Sequence, residues 1–175
     1  EQQRRARVFA QQDGFEILCA NLPQRHYLSI RDRVPFSEME DFIDGSIPVL
    51  QTTIQEQELT VSGPMTGMYY EWDEEAELAE MAIAFPVGSP GSNSEQVQAL
   101  TMPQASALLI EYRGSYDESG RAHYAFDVLS KARGIALDGP ALEEYVIAPP
   151  SEPDTTKWLT RIYYFLENKP TASQQ

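Results

Sequence analysis

The chain has one cysteine, Cys19, which excludes an internal disulfide framework and a multi-cysteine metal site. Its 2 histidines, His26 and His123, stand far apart with no His-x-x-His or cysteine pairing, so no transition-metal site is expected. Positive charge is scarce. Against 27 Asp+Glu there are 13 Lys+Arg, a formal net charge of −14. Such a surface repels phosphate backbones, so direct nucleic-acid binding by this segment is not expected, and "RRAR" at Arg4–Arg7 is too short to argue otherwise. Cationic or neutral ligands fit better than anions, although acidity also serves solubility alone. No apolar run approaches the ~18 residues of a membrane span and no signal peptide is visible, so no membrane insertion is expected. The single cysteine favours a reducing compartment, and a cytoplasmic location is expected. Gly-x-Ser-x-Gly, P-loop and dinucleotide fingerprints are missing, and no cofactor is expected. "EWDEEAELAE" at Glu71–Glu80 lacks the spacing of a calcium loop and reads as a solvated turn between strands.

What is present is enough chain, 175 residues at 42% hydrophobic and 23% charged, for one ordinary domain or two halves sharing a core. "GSPGSNS" at Gly88–Ser94 is the strong linker signal, and it divides the chain into similar halves. The halves correspond. "LPQRHYLSIRDRVPFSE" at Leu22–Glu38 lies 80 positions before "MPQASALLIEYRGSYDE" at Met102–Glu118, matching Pro-Gln, Ile30 with Ile110, Arg33 with Arg113, Phe36 with Tyr116 and Glu38 with Glu118. "GPMTGMYY" at Gly63–Tyr70 and "GPALEEY" at Gly139–Tyr145 follow at an offset of 76. Ordered matches of this kind indicate a tandem duplication. The expected organisation is a linker or N-terminal extension over 1–14, repeat one over 15–87, a linker over 88–95, repeat two over 96–167 and a flexible tail over 168–175. The chain opens on Glu1 instead of Met, so an upstream segment, such as a DNA-binding domain or an anchor, is expected.

Each half reads as β-α-β-β. "FEILCANL" with "HYLSIRDRV", and "VQALTM" with "ASALLIEYR", are strands broken at a proline. In half one, Ser37 with Glu40 forms a capping-box pattern, and Met39, Phe42, Ile43, Leu50 and Ile54 keep helical spacing. Pro48 predicts a short helix followed by a longer one. In half two the stripe is Ala122, Ala125, Phe126, Leu129 and Ala132, with Gly134 as the stop. Two strands then close each half, about Met65–Trp72 with Leu78–Val87, and Ala141–Ile147 with Trp158–Leu166. One such unit leaves apolar area wet, so the expected fold is α+β: tandem pseudo-symmetric β-α-β-β repeats forming one curved antiparallel sheet, two main helices on one face and a ligand cleft on the other.

The second Gly-Pro phrase carries carboxylates where the first has none. Strand alternation puts Glu143 and Tyr145 on one face and Glu144 on the other. By the Gly-Pro register, Gly67 and Tyr69 are their counterparts. The junction therefore offers two phenols, one carboxylate and one position without a side chain, where Gly67 leaves space for Glu143 to reach in. That asymmetry suits a ligand with a flat body and a positive end, since aromatic faces attract cations by roughly 0.5–2 kcal/mol each. Tyr112, Tyr116, Trp72, Trp158 and Tyr163 are the further candidates for the wall, and each could equally be an ordinary sheet residue.

With "RGSY" at Arg113–Tyr116, "EEY" at Glu143–Tyr145 and "WLTRIYY" at Trp158–Tyr164, the sequence resembles the GyrI-like small-molecule-binding domain, also the effector-binding domain of AraC- and MerR-type regulators. The resemblance covers about Phe15–Glu167. The family's Gly-x-Tyr falls on Gly114 and Tyr116, its Glu-x-Tyr on Glu143 and Tyr145, and its Thr-x-Ile-Tyr on Thr160, Ile162 and Tyr163. Where the family's last strand usually ends Pro-Val, this chain has Phe165-Leu166. The resemblance implies a glutamate at the base of an aromatic cleft, facing the positive centre of a drug-like ligand. The expected function is binding of amphipathic organic molecules, aromatic and with or without a positive charge, for sensing within a regulator or for sequestration. An alternative is hydrolysis of strained electrophilic natural products such as cyclopropanoids, with Glu143 as general base and Tyr116 or Tyr163 donating a hydrogen bond. A third is a protein-interaction module, since some members of the family are described as protecting gyrase.

Overall fold

In the computed structural model, which describes residues 7–167, a short strand β1 (Arg7–Gln12) precedes two matching units. The first contains β2 (Phe15–Leu22), β3 (Arg25–Pro35), helix α1 (Met39–Glu56), β4 (Thr66–Asp73) and β5 (Leu78–Val87). The second repeats the order with β6 (Gln98–Met102), β7 (Ala105–Arg113), helix α2 (Gly120–Arg133), β8 (Leu137–Ile147) and β9 (Leu159–Leu166). In both, a Pro-Gln pair separates the first two strands, because proline has no N–H to give to a ladder. Strand β1 falls inside the stretch expected to be a linker or extension and pairs antiparallel with β2. The expected tail at 168–175 lies outside the described residues, as do residues 1–6.

Helix α2 follows its apolar stripe and stops as expected. Gly134 takes a left-handed φ of 63° and its N–H returns to the Ser130 carbonyl. Helix α1 differs from expectation in two respects. It runs unbroken through Pro48, and Ser37 does not cap it: Phe36–Glu38 form a 3-10 turn, and Glu38 is the N-cap without a side-chain bond. Interior proline costs about 3 kcal/mol. Burial of Leu50 and Ile54 beyond it, each contributing about 1.5–3 kcal/mol, offsets that cost. Ser46 Oγ donates to the Phe42 carbonyl at 2.7 Å in the turn before Pro48.

The strand order is β1-β2-β7-β9-β8-β4-β5-β3-β6. The first strand of each repeat is thus exchanged: β2 joins the second repeat's strands and β6 joins the first's. A pseudo-two-fold passes between β4 and β8, where Gly67 pairs with Glu143 and Met68 with Leu142. Both central strands bulge at the same relative point, between Tyr69 and Glu71 and between Tyr145 and Ile147. Bulges re-aim side chains beside them, and here they follow the two seam tyrosines.

Exchange forces the sheet to roll. Strands β2 and β3 lie six spacings apart, about 29 Å if flat, yet the chain between Leu22 and Arg25 reaches only about 11 Å. The Met102–Ala105 corner imposes the same closure. As a result Leu22, Tyr27, Met102 and Ala105 pack with Met68, Ala82, Leu142 and Tyr163 over the helix-free face. The register identifies the other face. Ile30 pairs with Ile83, Ile83 with Gly67, Gly67 with Glu143, Glu143 with Ile162, and Ile162 with Ile110. The Ile30–Ile83 end of this row packs under α1 with Leu50 and Ile54, and the Ile162–Ile110 end packs under α2 with Phe126 and Leu129. Both helices therefore share one face, as expected, but the seam residues lie on that same face, in the gap between the helices. On the face where the cleft was expected, the corners of the exchanged strands pack together, Leu22 and Tyr27 with Met102 and Ala105.

Candidate functional site

The site is built where Gly67 and Glu143 meet. Glu143 is 8% exposed and its carboxylate is engaged at both oxygens. His123 of α2 places Nε2 2.5 Å from Oε1, and the Tyr145 hydroxyl donates to Oε2 at 2.8 Å. The chain of contacts continues at both ends, with His123 Nδ1 2.7 Å from the Tyr164 hydroxyl and the Tyr145 and Tyr69 hydroxyls 3.3 Å apart. Five side chains from α2, β9, β8 and β4 thus form one polar line across the seam. Tyr69 and Tyr145, 76 positions apart, are the pseudo-symmetric pair, and they meet.

Burial holds these phenols in their protonated form, with pKa values above the ordinary tyrosine range. For Tyr69, Tyr116 and Tyr164 the Glu143 carboxylate is the next largest cause; for Tyr145 it follows Tyr69. They remain neutral hydrogen-bond donors around one carboxylate. Among the described residues no lysine or arginine pairs with Glu143. The space expected above Gly67 is taken: a Cβ there would lie 2.8 Å from the Tyr145 hydroxyl and 3.3 Å from the Tyr69 ring. The two phenols close over the glycine.

Aromatic rings flank both phenols, in a different arrangement on each side. From repeat one, Trp72 lies 6.1 Å from Tyr69 and stacks on Phe36 at 4.4 Å. From repeat two, Tyr116 lies 5.6 Å from Tyr145 and 4.9 Å from Trp158. Phe36 and Tyr116 each open a 3-10 turn leading into a helix. Trp72 and Tyr116 are exposed, while Trp158 is half-buried with its indole N–H donated to the Glu152 carbonyl. Large aromatic faces at the surface beside a buried carboxylate form an amphipathic patch.

Two expected residues lie elsewhere. Tyr163 points to the helix-free face, where its hydroxyl lies 3.4 Å from Glu144; the register pairs Glu143 with Ile162, so it is Tyr164 that shares the Glu143 face. Tyr112 is buried in the core beneath α2 and donates its hydroxyl to the Ser115 carbonyl at 2.7 Å. Glu144 points away from Glu143, as alternation required, and pairs with Arg25 at 3.5 Å. Residues the sequence reading left out are His123, Tyr164 and Phe36. Phe36 had a signal in its match to Tyr116, and His123 had one in its position on the α2 stripe, one residue after Ala122. Thr160, across the ladder from Tyr145, buries its hydroxyl without a hydrogen-bond partner. No group of three or more His, Cys, Asp or Glu suited to a metal ion occurs among the described residues, and no helix there is long and apolar enough to cross a membrane.

A rolled sheet of two strand-exchanged β-α-β-β repeats, with a carboxylate and phenols at the seam, defines a class of small-molecule-binding domain. The chain belongs to the family of the GyrI-like small molecule binding domain, whose model matches residues 17–166. No curated protein sequence matches the chain. Among solved structures, the EcmrR C-terminal domain is similar at 18% identity and a TM-score of 0.78, covering 89% of this chain and 99% of that one. EcmrR in its complex with DNA aligns with a TM-score of 0.79 at 18% identity over 89% of this chain, which spans 58% of that chain's length. SAV2435 bound to tetraphenylphosphonium has a TM-score of 0.59 at 12% identity, covering 87% of this chain and 94% of that one. A hydrolase encoded by lin2189 of Listeria innocua has a TM-score of 0.60 at 10% identity, covering 86% and 91%. These likenesses establish the fold.

Proposed function

We propose that the domain binds amphipathic aromatic molecules, with or without positive charge, at the seam between the repeats. Glu143 receives the positive or hydrogen-donating part, and Tyr69, Tyr145, Tyr116, Trp72 and Trp158 with Phe36 take the flat body. Entry requires Tyr145 and Tyr69 to rotate away from Gly67. That motion breaks a hydrogen bond to a charged group, a cost of about 1.5–3 kcal/mol that ligand contacts must exceed. The observation that carries the reading is the buried Glu143 carboxylate, which has phenol and imidazole partners and, among the described residues, no guanidinium or ammonium paired to it. The role is effector sensing behind an upstream DNA-binding domain, or sequestration if the domain acts alone. Likeness to EcmrR supports the first.

Titration with tetraphenylphosphonium, the cation held by SAV2435, tests this. Binding by the wild-type domain should weaken by on the order of 1–3 kcal/mol in Glu143→Gln. Equal affinities would remove the carboxylate from the site.

One feature favours hydrolysis as a second reading. The Tyr164–His123–Glu143 line resembles an acid–base relay in which a carboxylate accepts a proton from water. Tyr116 is then the remaining donor, since Tyr163 is on the wrong face. Incubation with a cyclopropane-bearing alkylator separates the readings: a ring-opened, hydrated product supports the relay, and intact retained compound supports binding alone.

A further inference from the structure

The carboxylate that is to meet a ligand's charge already has a partner able to carry charge. His123 is held there from several sides. Its neighbours Ala122, Ala125 and Phe126 are buried in the core beneath α2, and Phe126 packs on the Tyr164 ring at 4.6 Å. Tyr164 then contacts Nδ1, which leaves Nε2 directed at Glu143. The titratable groups around the imidazole are Glu143 and Tyr145 on β8, Tyr164 on β9, Tyr69 on β4 with its ring 6.5 Å away, and Asp127 one turn along α2, itself paired with Lys131 at 2.8 Å. Among the described residues, the His123 imidazole is thus the basic side chain that the fold brings to Glu143.

Imidazole is the side chain that changes charge between about pH 5 and 8. Protonated, it neutralises Glu143, and an arriving organic cation meets no net charge. Neutral, it leaves one negative charge at the seam. We infer that His123 is a specificity-determining residue that makes cation binding proton-linked: the organic cation and the imidazolium proton compete for the Glu143 carboxylate. The inference rests on the proposed binding site. By linkage, a ligand that expels a proton binds more tightly as pH rises, by at most about tenfold per pH unit for one proton, and the bound ligand makes His123 harder to protonate.

The test is calorimetric titration of tetraphenylphosphonium from about pH 5.5 to 8, in buffers of different ionisation enthalpy, with wild type, His123→Gln and His26→Gln. His26 lies away from the seam on β3, bonded to Thr101 at 2.9 Å, and serves as the control. Wild type and His26→Gln should gain affinity with pH and release up to one proton per ligand at the acidic end; His123→Gln should show neither. A pH-independent wild-type affinity, or an unchanged slope in His123→Gln, overturns the inference while leaving the site standing. No binding by wild type at any pH removes the site itself and the inference with it. Should His123→Gln fail to fold, the wild-type imidazole proton resonances decide. The His123 titration midpoint should move to lower pH on saturation with the phosphonium, and an unmoved midpoint overturns the proposal.

Discussion

Glu143 and Glu144 are neighbours in the chain and equally buried, at 8% and 7% exposure, yet they face opposite sides of the sheet. Glu144 meets a permanent cation: Arg25, from the corner of an exchanged strand, with Tyr163 beside it and the Tyr27 ring 5.6 Å from the guanidinium. That pair ties the corner to β8 and closes the helix-free face. Among the described residues Glu143 meets no guanidinium or ammonium, but a phenol on a rotatable side chain and an imidazole. Two like residues therefore stand in different settings, one held by a guanidinium at the closed face and the other by a phenol and an imidazole at the seam. The first repeat makes the same point in its own residues, since at these two register positions it carries Gly67 and Met68, with no charge on either face.

Substitution should separate the two carboxylates most sharply in stability. Glu144→Ala leaves Arg25 buried without its counter-charge and should cost about 3–5 kcal/mol by urea denaturation. A loss under about 1 kcal/mol would mean that the pair is solvated and locks nothing. Glu143→Gln should cost less, about 1–2 kcal/mol, because the amide oxygen keeps one donor satisfied, while ligand binding bears the larger loss. Replacing the whole pair, Arg25→Met with Glu144→Met, should return stability to within about 1 kcal/mol of wild type, since no charge is then buried. The smallest effect is alkaline. The folded state holds the Tyr69, Tyr145 and Tyr164 phenol protons to higher pH than the unfolded chain does. The stability they contribute is therefore complete below about pH 10 and is lost as pH rises beyond it. Tyrosinate absorbance followed alongside denaturation should show this. Glu143→Gln should let these phenols ionise at lower pH, whereas Glu144→Gln should leave them unmoved.

Much of this contrast was legible along the chain. Alternation alone places Glu143 with Tyr145 and Glu144 against them, and the offset of 76 names Gly67 and Tyr69 as the partners that the register confirms. The choice between Tyr163 and Tyr164 was not legible, because a shift of one residue changes the face of a strand and only the pairing of Glu143 with Ile162 fixes it. Nor was the face of the seam. Both faces of this sheet are apolar, so nothing in a strand such as "ASALLIEYR" says which side a helix will cover. The capping signal at Ser37 and the break at Pro48 were legible but outweighed by packing along α1. His123 escaped notice because its partners, Glu143 and Tyr164, are 20 and 41 positions away.

By itself the sequence determined a duplicated β-α-β-β chain with one carboxylate set among phenols, because periodicity and repetition are properties of local order. Only the tertiary structure decided that the first strands exchange between repeats, that their corners close one face, and that the seam residues lie between the helices on the other. An edge strand carries the same alternation whichever sheet it joins, and the choice between partners rests on long-range burial that no short stretch of chain encodes.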